Sequence, residues 1–177
     1  MTRRLLLVLI AFALPTTASL AQSQQPYAGL EARSIKALSD QQIADLKAGP
    51  GFALAAELNG HPGPIHVLEL ADSLDLSDQQ RAKMQELLTA RKAEAIPLGE
   101  RLIAQEEDLD RQFANKTITP ASLAAATGAI GITHAALRQA HLKYHLSTVE
   151  VLTPAQVQRY AELRGYKTGT QHSHGRH

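Results

Sequence analysis

Residues 119–151 read TPASLAAATGAIGITHAALRQAHLKYHLSTVEV, and the fold of the whole chain turns on them. Leu123, Ala126, Ile130, Thr133, Leu137, Ala140, Tyr144, Ser147 and Val151 recur at alternating steps of three and four, a heptad seam sustained for four repeats. Thr119 followed by Pro120 is a helix start, a hydroxyl N-cap and then a proline where no amide hydrogen is missed. The small residues along the seam let another helix approach closely. The neighbour they predict is the helix just before the turn NKTITP at 115–120.

That preceding stretch is itself periodic. From Ser77 onward, Met84, Leu88, Ala95, Leu98, Leu102, Leu109 and Phe113 keep to one helical face. Pro97, with Gly99 beside it, predicts a kink or a division in mid-helix. Two long helices joined by a short turn predict a long antiparallel hairpin in an all-α fold with short flanking helices. A first helix is expected at about 64–74, and a last short one, TPAQVQRYAELRG, ends at Gly165. Upstream, short helices are expected around Leu30–Leu38, from Ser39 to Gly49, and over Phe52–Leu58 within the Gly/Pro-rich stretch 49–64. The organisation is then a leader at 1–21, an N-terminal arm at 22–63, the hairpin domain at 64–165 and a histidine-containing tail at 166–177.

The leader is a signal peptide by its pattern: Arg3-Arg4, an apolar run from Leu5 to Leu14, then Ser19-Leu20-Ala21 as the cleavage site. The apolar run is about half of the roughly 20 residues that span a bilayer. Export to the periplasm is the expectation, and the absence of cysteine suits an oxidising compartment while excluding lipoprotein anchors, disulfides and thiolate chemistry. Losing Arg3 and Arg4 takes the 18 basic residues to 16 against 17 acidic ones, so no bulk charge favours nucleic acid. No phosphate-binding glycine loop, Gly-x-Ser-x-Gly elbow or HExxH is present, and the reading is not that of an enzyme.

One short word recurs: Leu38-Ser39-Asp40-Gln41-Gln42, Leu76-Ser77-Asp78-Gln79-Gln80 and Leu152-Thr153-Pro154-Ala155-Gln156. Each is a helix-start device, in which the hydroxyl accepts from the amide three residues on, the glutamine reaches back, and the leucine staples the entry. By these words the chain resembles the Spy/CpxP family of periplasmic proteins, named for an LTxxQ motif near helix starts, over about residues 64–165. The resemblance implies small all-helical proteins, often homodimers, whose helices form a curved cradle. Some members hold unfolded or misfolded envelope proteins without ATP; others sense stress, dock on a membrane sensor, or bind zinc, nickel or cobalt.

Each role has a sequence counterpart. Leucines interleaved with both signs of charge in RAKMQELLTARKAEAIPLGERLIAQEEDLDR suit a cradle, and equally the solvated face of any hairpin. No cofactor is required by that role. For a transition-metal ion the best constellation is His134, His141 and His145, which fall within about 40° of one another on a helical projection. His141 and His145 have the i, i+4 spacing of a chelating pair; His134 lies on the order of 10 Å further along. Further ligands are conceivable in Glu150, His66 or His61, and the tail adds His172, His174 and His177. The alternative is that His141 and His145 simply pack at the margin of the seam.

Overall fold

The computed structural model describes residues 27–49 and 53–166. The leader expected at 1–21, Phe52 and the tail histidines lie outside these residues. Six α-helices follow a 3-10 turn at Leu30–Ala32: α1 Asp40–Ala48, α2 Leu54–Glu57, α3 Pro64–Glu69, α4 Asp78–Ala114, α5 Pro120–Val151 and α6 Pro154–Leu163. The fold is all-α, as the periodicity predicts. α4 and α5, of 37 and 32 residues, are about 55 and 48 Å long at 1.5 Å per residue, and they pair as the antiparallel hairpin.

Four of the helices begin with complete capping boxes. Ser39 with Gln42, Ser77 with Gln80 and Thr153 with Gln156 are the three repeated words, and Thr119 with Ser122 is a fourth that does not share their spelling. Leu38, Leu76 and Leu152, the first letter of each word, are all buried. The glutamines of the second and third words do more than cap. Gln80 Nε2 donates to Gln156 Oε1 at 2.8 Å and to the Val151 carbonyl at 3.0 Å; Gln156 Nε2 donates to Gln80 Oε1 at 3.1 Å and to the Leu74 carbonyl at 3.2 Å. Each Oε1 meanwhile accepts from its own cap amide, Ser77 N–H or Thr153 N–H. Only an amide supplies both the acceptors and the donors this clasp uses, since a carboxylate has no N–H.

Two apolar clusters flank a polar layer. At the base of the hairpin, Val67, Leu74, Leu76, Met84, Tyr144, Leu152 and Tyr160 pack together. Further along, Ile35, Leu38 and Leu46 from the arm close over Ala95, Leu102 and Leu137. The arm therefore belongs to the folded body at this point, pinned also by the Lys36–Asp110 ion pair.

Several local expectations are corrected. Of the kink or division expected at Pro97, the division does not occur: α4 runs through it, and Pro97 is exposed, so the ring meets solvent and the missing N–H is tolerated there. Gly99 has a separate reason, because a methyl group built on it would lie 2.2 Å from the Leu46 carbonyl oxygen of α1. α3 ends at Glu69 instead of near 74, since the chain bends through a turn with Asp75 at φ 49° to bring Leu74 and Leu76 into the cluster of Val67. Leu30–Leu38 is one 3-10 turn followed by a tight turn between Ile35 and Leu38 that points both inward. α2 is a single turn, shorter than Phe52–Leu58. The seam frays at the tip: Leu123 is exposed, as is Phe113 (53%), because the arm does not extend over that end of the hairpin.

Candidate functional site

Between the two clusters, α5 presents the two histidines of the chelating pair to the arm. Both are buried, and each faces a backbone carbonyl. His145 Nδ1 lies 2.6 Å from the His61 carbonyl, so Nδ1 carries the proton; His141 Nε2 lies 3.4 Å from the Gly49 carbonyl. Burial pushes His141 below the ordinary imidazole range, the backbone bond to Gly49 opposes this, and nearby Arg91 adds to the depression. His134, by contrast, is on the exposed side of α5.

Glu57 of α2 sits at the centre of this layer. Its Oε1 accepts from the Tyr160 hydroxyl of α6 and from the Tyr166 hydroxyl at 3.3 Å. Its Oε2 accepts from Gly63 N–H at 3.1 Å and lies 3.8 Å from His145 Nδ1. Burial and then the carboxylate push the Tyr160 hydroxyl well up, so it stays a donor. Gly63 is required by contact: a methyl group on it would lie 2.9 Å from the His145 ring. Arg91 of α4, also buried, donates to the Gly49 carbonyl from the other side. Arm, α4, α5 and α6 are thus joined through one carboxylate, two imidazoles, one guanidinium and two tyrosines.

Sequence reasoning passed over Glu57, Arg91, Tyr160 and Tyr166. For Arg91 a signal existed. It stands seven residues after Met84 and four before Ala95, inside the apolar stripe of α4, where a charge is a buried charge. Glu57 had none, because its burial depends on a turn-length helix folding back on α5 and α6.

The donor set bears on metal binding. Among the described residues no three His, Asp or Glu side chains gather where one ion could be held. Two histidine–carboxylate pairs occur, His66 with Glu69 at 3.3 Å and His145 with Glu57 at 3.8 Å, and in the second the imidazole nitrogen is directed at a backbone oxygen. His66 lies apart with Glu69 and Arg164, and Glu150 is exposed.

The outer surface of the same region offers something different. Between α2 and α5 runs an open groove of about 730 Å³ whose floor is Ala55, Ala56 and Ala135 and whose wall includes Leu142 and Leu146, with Arg138 and Lys143 on its rim. No acidic side chain lines it. Leu146 in its wall is 57% exposed, and Leu54 and Leu58 of α2, outside its lining, are 72% and 58% exposed. Nearer the tip, Ile132 is 74% exposed, and from Thr117 to Thr133 the chain carries no charge. Among the described residues no helix is long and apolar enough to cross a membrane.

Residues 50–159 match the model of the heavy-metal resistance family. No curated protein and no solved structure matches the chain significantly.

Proposed function

Because the chain belongs to the heavy-metal resistance family, we propose that it acts within that family as a nucleotide-independent holdase of the Spy/CpxP type. It works in the periplasm on unfolded or misfolded envelope proteins, after loss of its leader. The observation that carries this reading is the groove in which exposed Leu146 and half-buried Leu142 lie beside Arg138 and the Glu94-paired Lys143, with exposed Leu54 and Leu58 on α2, the helix that forms its other side. Large apolar side chains left in water beside cations give a non-native chain weak contacts of both kinds without an enclosing pocket. Two further facts agree with it: the two motif words form the hairpin's clasp, and the two buried histidines are engaged with backbone carbonyls. The test is light scattering by an unfolding client protein. Equimolar or less of the mature chain suppresses it, and Leu146→Asp with Leu58→Asp weakens the suppression; unchanged scattering with the wild-type chain refutes the reading.

Metal binding is the second reading, favoured by the family and by the His145–Glu57 approach of 3.8 Å. His145 would have to leave the His61 carbonyl to ligate. Calorimetric titration with Zn(II), Ni(II), Co(II) and Cu(II) separates the two: heat that persists after His141→Ala with His145→Ala removes these residues from any site, and no heat removes the reading. Homodimer formation and docking on a membrane sensor protein are the partner proposals. Sedimentation of the mature chain tests the first, and co-purification with envelope membranes before and after stress tests the second.

A further inference from the structure

α1 lies on α4 as a guest helix lies in a groove. Its last turn packs closely on α4: a methyl group on Gly99 would collide with the Leu46 carbonyl, and one on Gly49 would lie 3.4 Å from the Ile96 side chain and 3.7 Å from that of Ala95. Leu46 is the only buried residue within α1 itself, with Ile35 and Leu38 entering the same cluster just before it. Nine residues are fewer than the roughly 12–15 a helix needs to persist alone in water, so α1 is ordered by this surface and melts when it leaves.

The surface is imperfectly filled. Arg91, only 7% exposed, directs its guanidinium at the end of α1, yet pairs with no carboxylate among the described residues, and its Nε has no hydrogen-bond partner. All it receives is the carbonyl of Gly49, at the weakly negative end of the α1 dipole. A buried guanidinium is costly unless paired, and its planar fork matches a carboxylate through two parallel N–H bonds.

We propose that the face formed by Arg91, Ala95, Gly99 and Leu102 with Leu137 is a helix-binding surface. α1 occupies it in cis, and an amphipathic helix of another protein, bearing a carboxylate at its C-terminal end, takes its place. The apolar stripe of the incoming helix covers Leu102 and Leu137, its backbone closes on Gly99, and its carboxylate pairs with Arg91 through both the Nε and the terminal N–H. This surface is separate from the α2–α5 groove, so it stands or falls independently of the holdase reading.

The probe is a fluorescein-labelled peptide of residues 34–49, SIKALSDQQIADLKAG, whose free C-terminus puts a carboxylate where the Gly49 carbonyl lies. Fluorescence anisotropy compares the mature wild-type chain, the Leu38→Asp/Leu46→Asp chain with its own arm unseated, and the Gly99→Val chain. Because the tethered arm competes at an effective concentration on the order of millimolar, the double variant binds at least about tenfold tighter than wild type. Gly99→Val also unseats α1, but it fills the surface and binds no peptide. Amidating the peptide's C-terminus weakens binding by about fivefold or more. Equal binding by the Gly99→Val and double-Asp chains, no binding by the double-Asp chain, or equal affinity of acid and amide peptides overturns the proposal. Hydrogen exchange on the unaltered chain guards against misfolding of the variants: millimolar acid peptide accelerates exchange across residues 40–48, and unchanged exchange there is a refutation.

Discussion

Changing Gln156 to glutamate isolates what the amide clasp adds beyond capping. The new side chain still accepts from Thr153 N–H, so the cap of α6 survives. What it loses is the pair of donations from Nε2 to Leu74 O and Gln80 Oε1. Two lost hydrogen bonds at about 1 kcal/mol each, with two half-buried acceptors then facing an anionic oxygen, cost about 2–4 kcal/mol. A negative charge in the first turn of a helix returns about 0.5 kcal/mol, leaving a net loss of about 1.5–3.5 kcal/mol. For a domain of this size each kcal/mol moves the melting midpoint by about 2–4 °C, so Tm falls by about 3–14 °C. The control is Gln42→Glu, the same motif position in the first word, whose Oε1 bonds only to its own cap at Ser39. It changes stability by no more than about 0.5 kcal/mol. Urea unfolding followed by circular dichroism at 222 nm reads both. Lowering the pH far enough to protonate the introduced carboxylate restores a donor and shrinks the deficit. If Gln156→Glu costs less than about 1 kcal/mol, or Gln42→Glu costs as much, the clasp contributes nothing beyond its caps.

Three shorter predictions follow from the same geometry. Tyr160→Phe removes one hydroxyl donor to buried Glu57 and lowers stability by about 1–3 kcal/mol in chemical denaturation; no change means the carboxylate is hydrated. Pro97→Ala restores a backbone hydrogen bond on an exposed helix surface and stabilises by about 1–3 kcal/mol, read as a higher Tm. Burial first of all lowers the His141 pKa, so the folded state binds this proton less readily than the unfolded chain. Its contribution is complete above the unfolded imidazole pKa of about 6.5 and is lost as the pH falls through that value toward the folded one. The urea midpoint of the wild-type chain therefore drops between pH 7.5 and 5.5 by more than that of His141→Gln.

The long-range architecture is legible in the sequence because its signals are periodic and redundant. Thr133, Leu137, Ala140 and Tyr144 point inward as the three-and-four spacing requires, and α1, α4, α5 and α6 start where hydroxyl caps announce them. Periodicity identifies a face without specifying what covers it. Leu123 and Phe113 satisfy the pattern and are left in solvent; His141, His145 and Arg91 are polar and buried, because an arm some 90 residues away in sequence from the histidines brings its carbonyls to them. The i, i+4 histidine spacing reads as chelation because the arm's backbone, the competing partner, has no sequence signature. The partnership of Gln80 with Gln156 is likewise invisible there: both caps are evident one at a time, but their meeting is a property of the closed hairpin.

The two ends of the arm–hairpin assembly differ in what the surrounding medium can do to them. The clasp of Gln80 and Gln156 is built from neutral amides, which neither titrate nor feel ionic strength. The arm's polar attachments include His141, whose affinity for a proton is lowered by burial, and the half-exposed Lys36–Asp110 pair, groups whose charge or screening follows the solution. A change of acidity or salt therefore acts on the attachment of the arm while leaving the base of the hairpin shut.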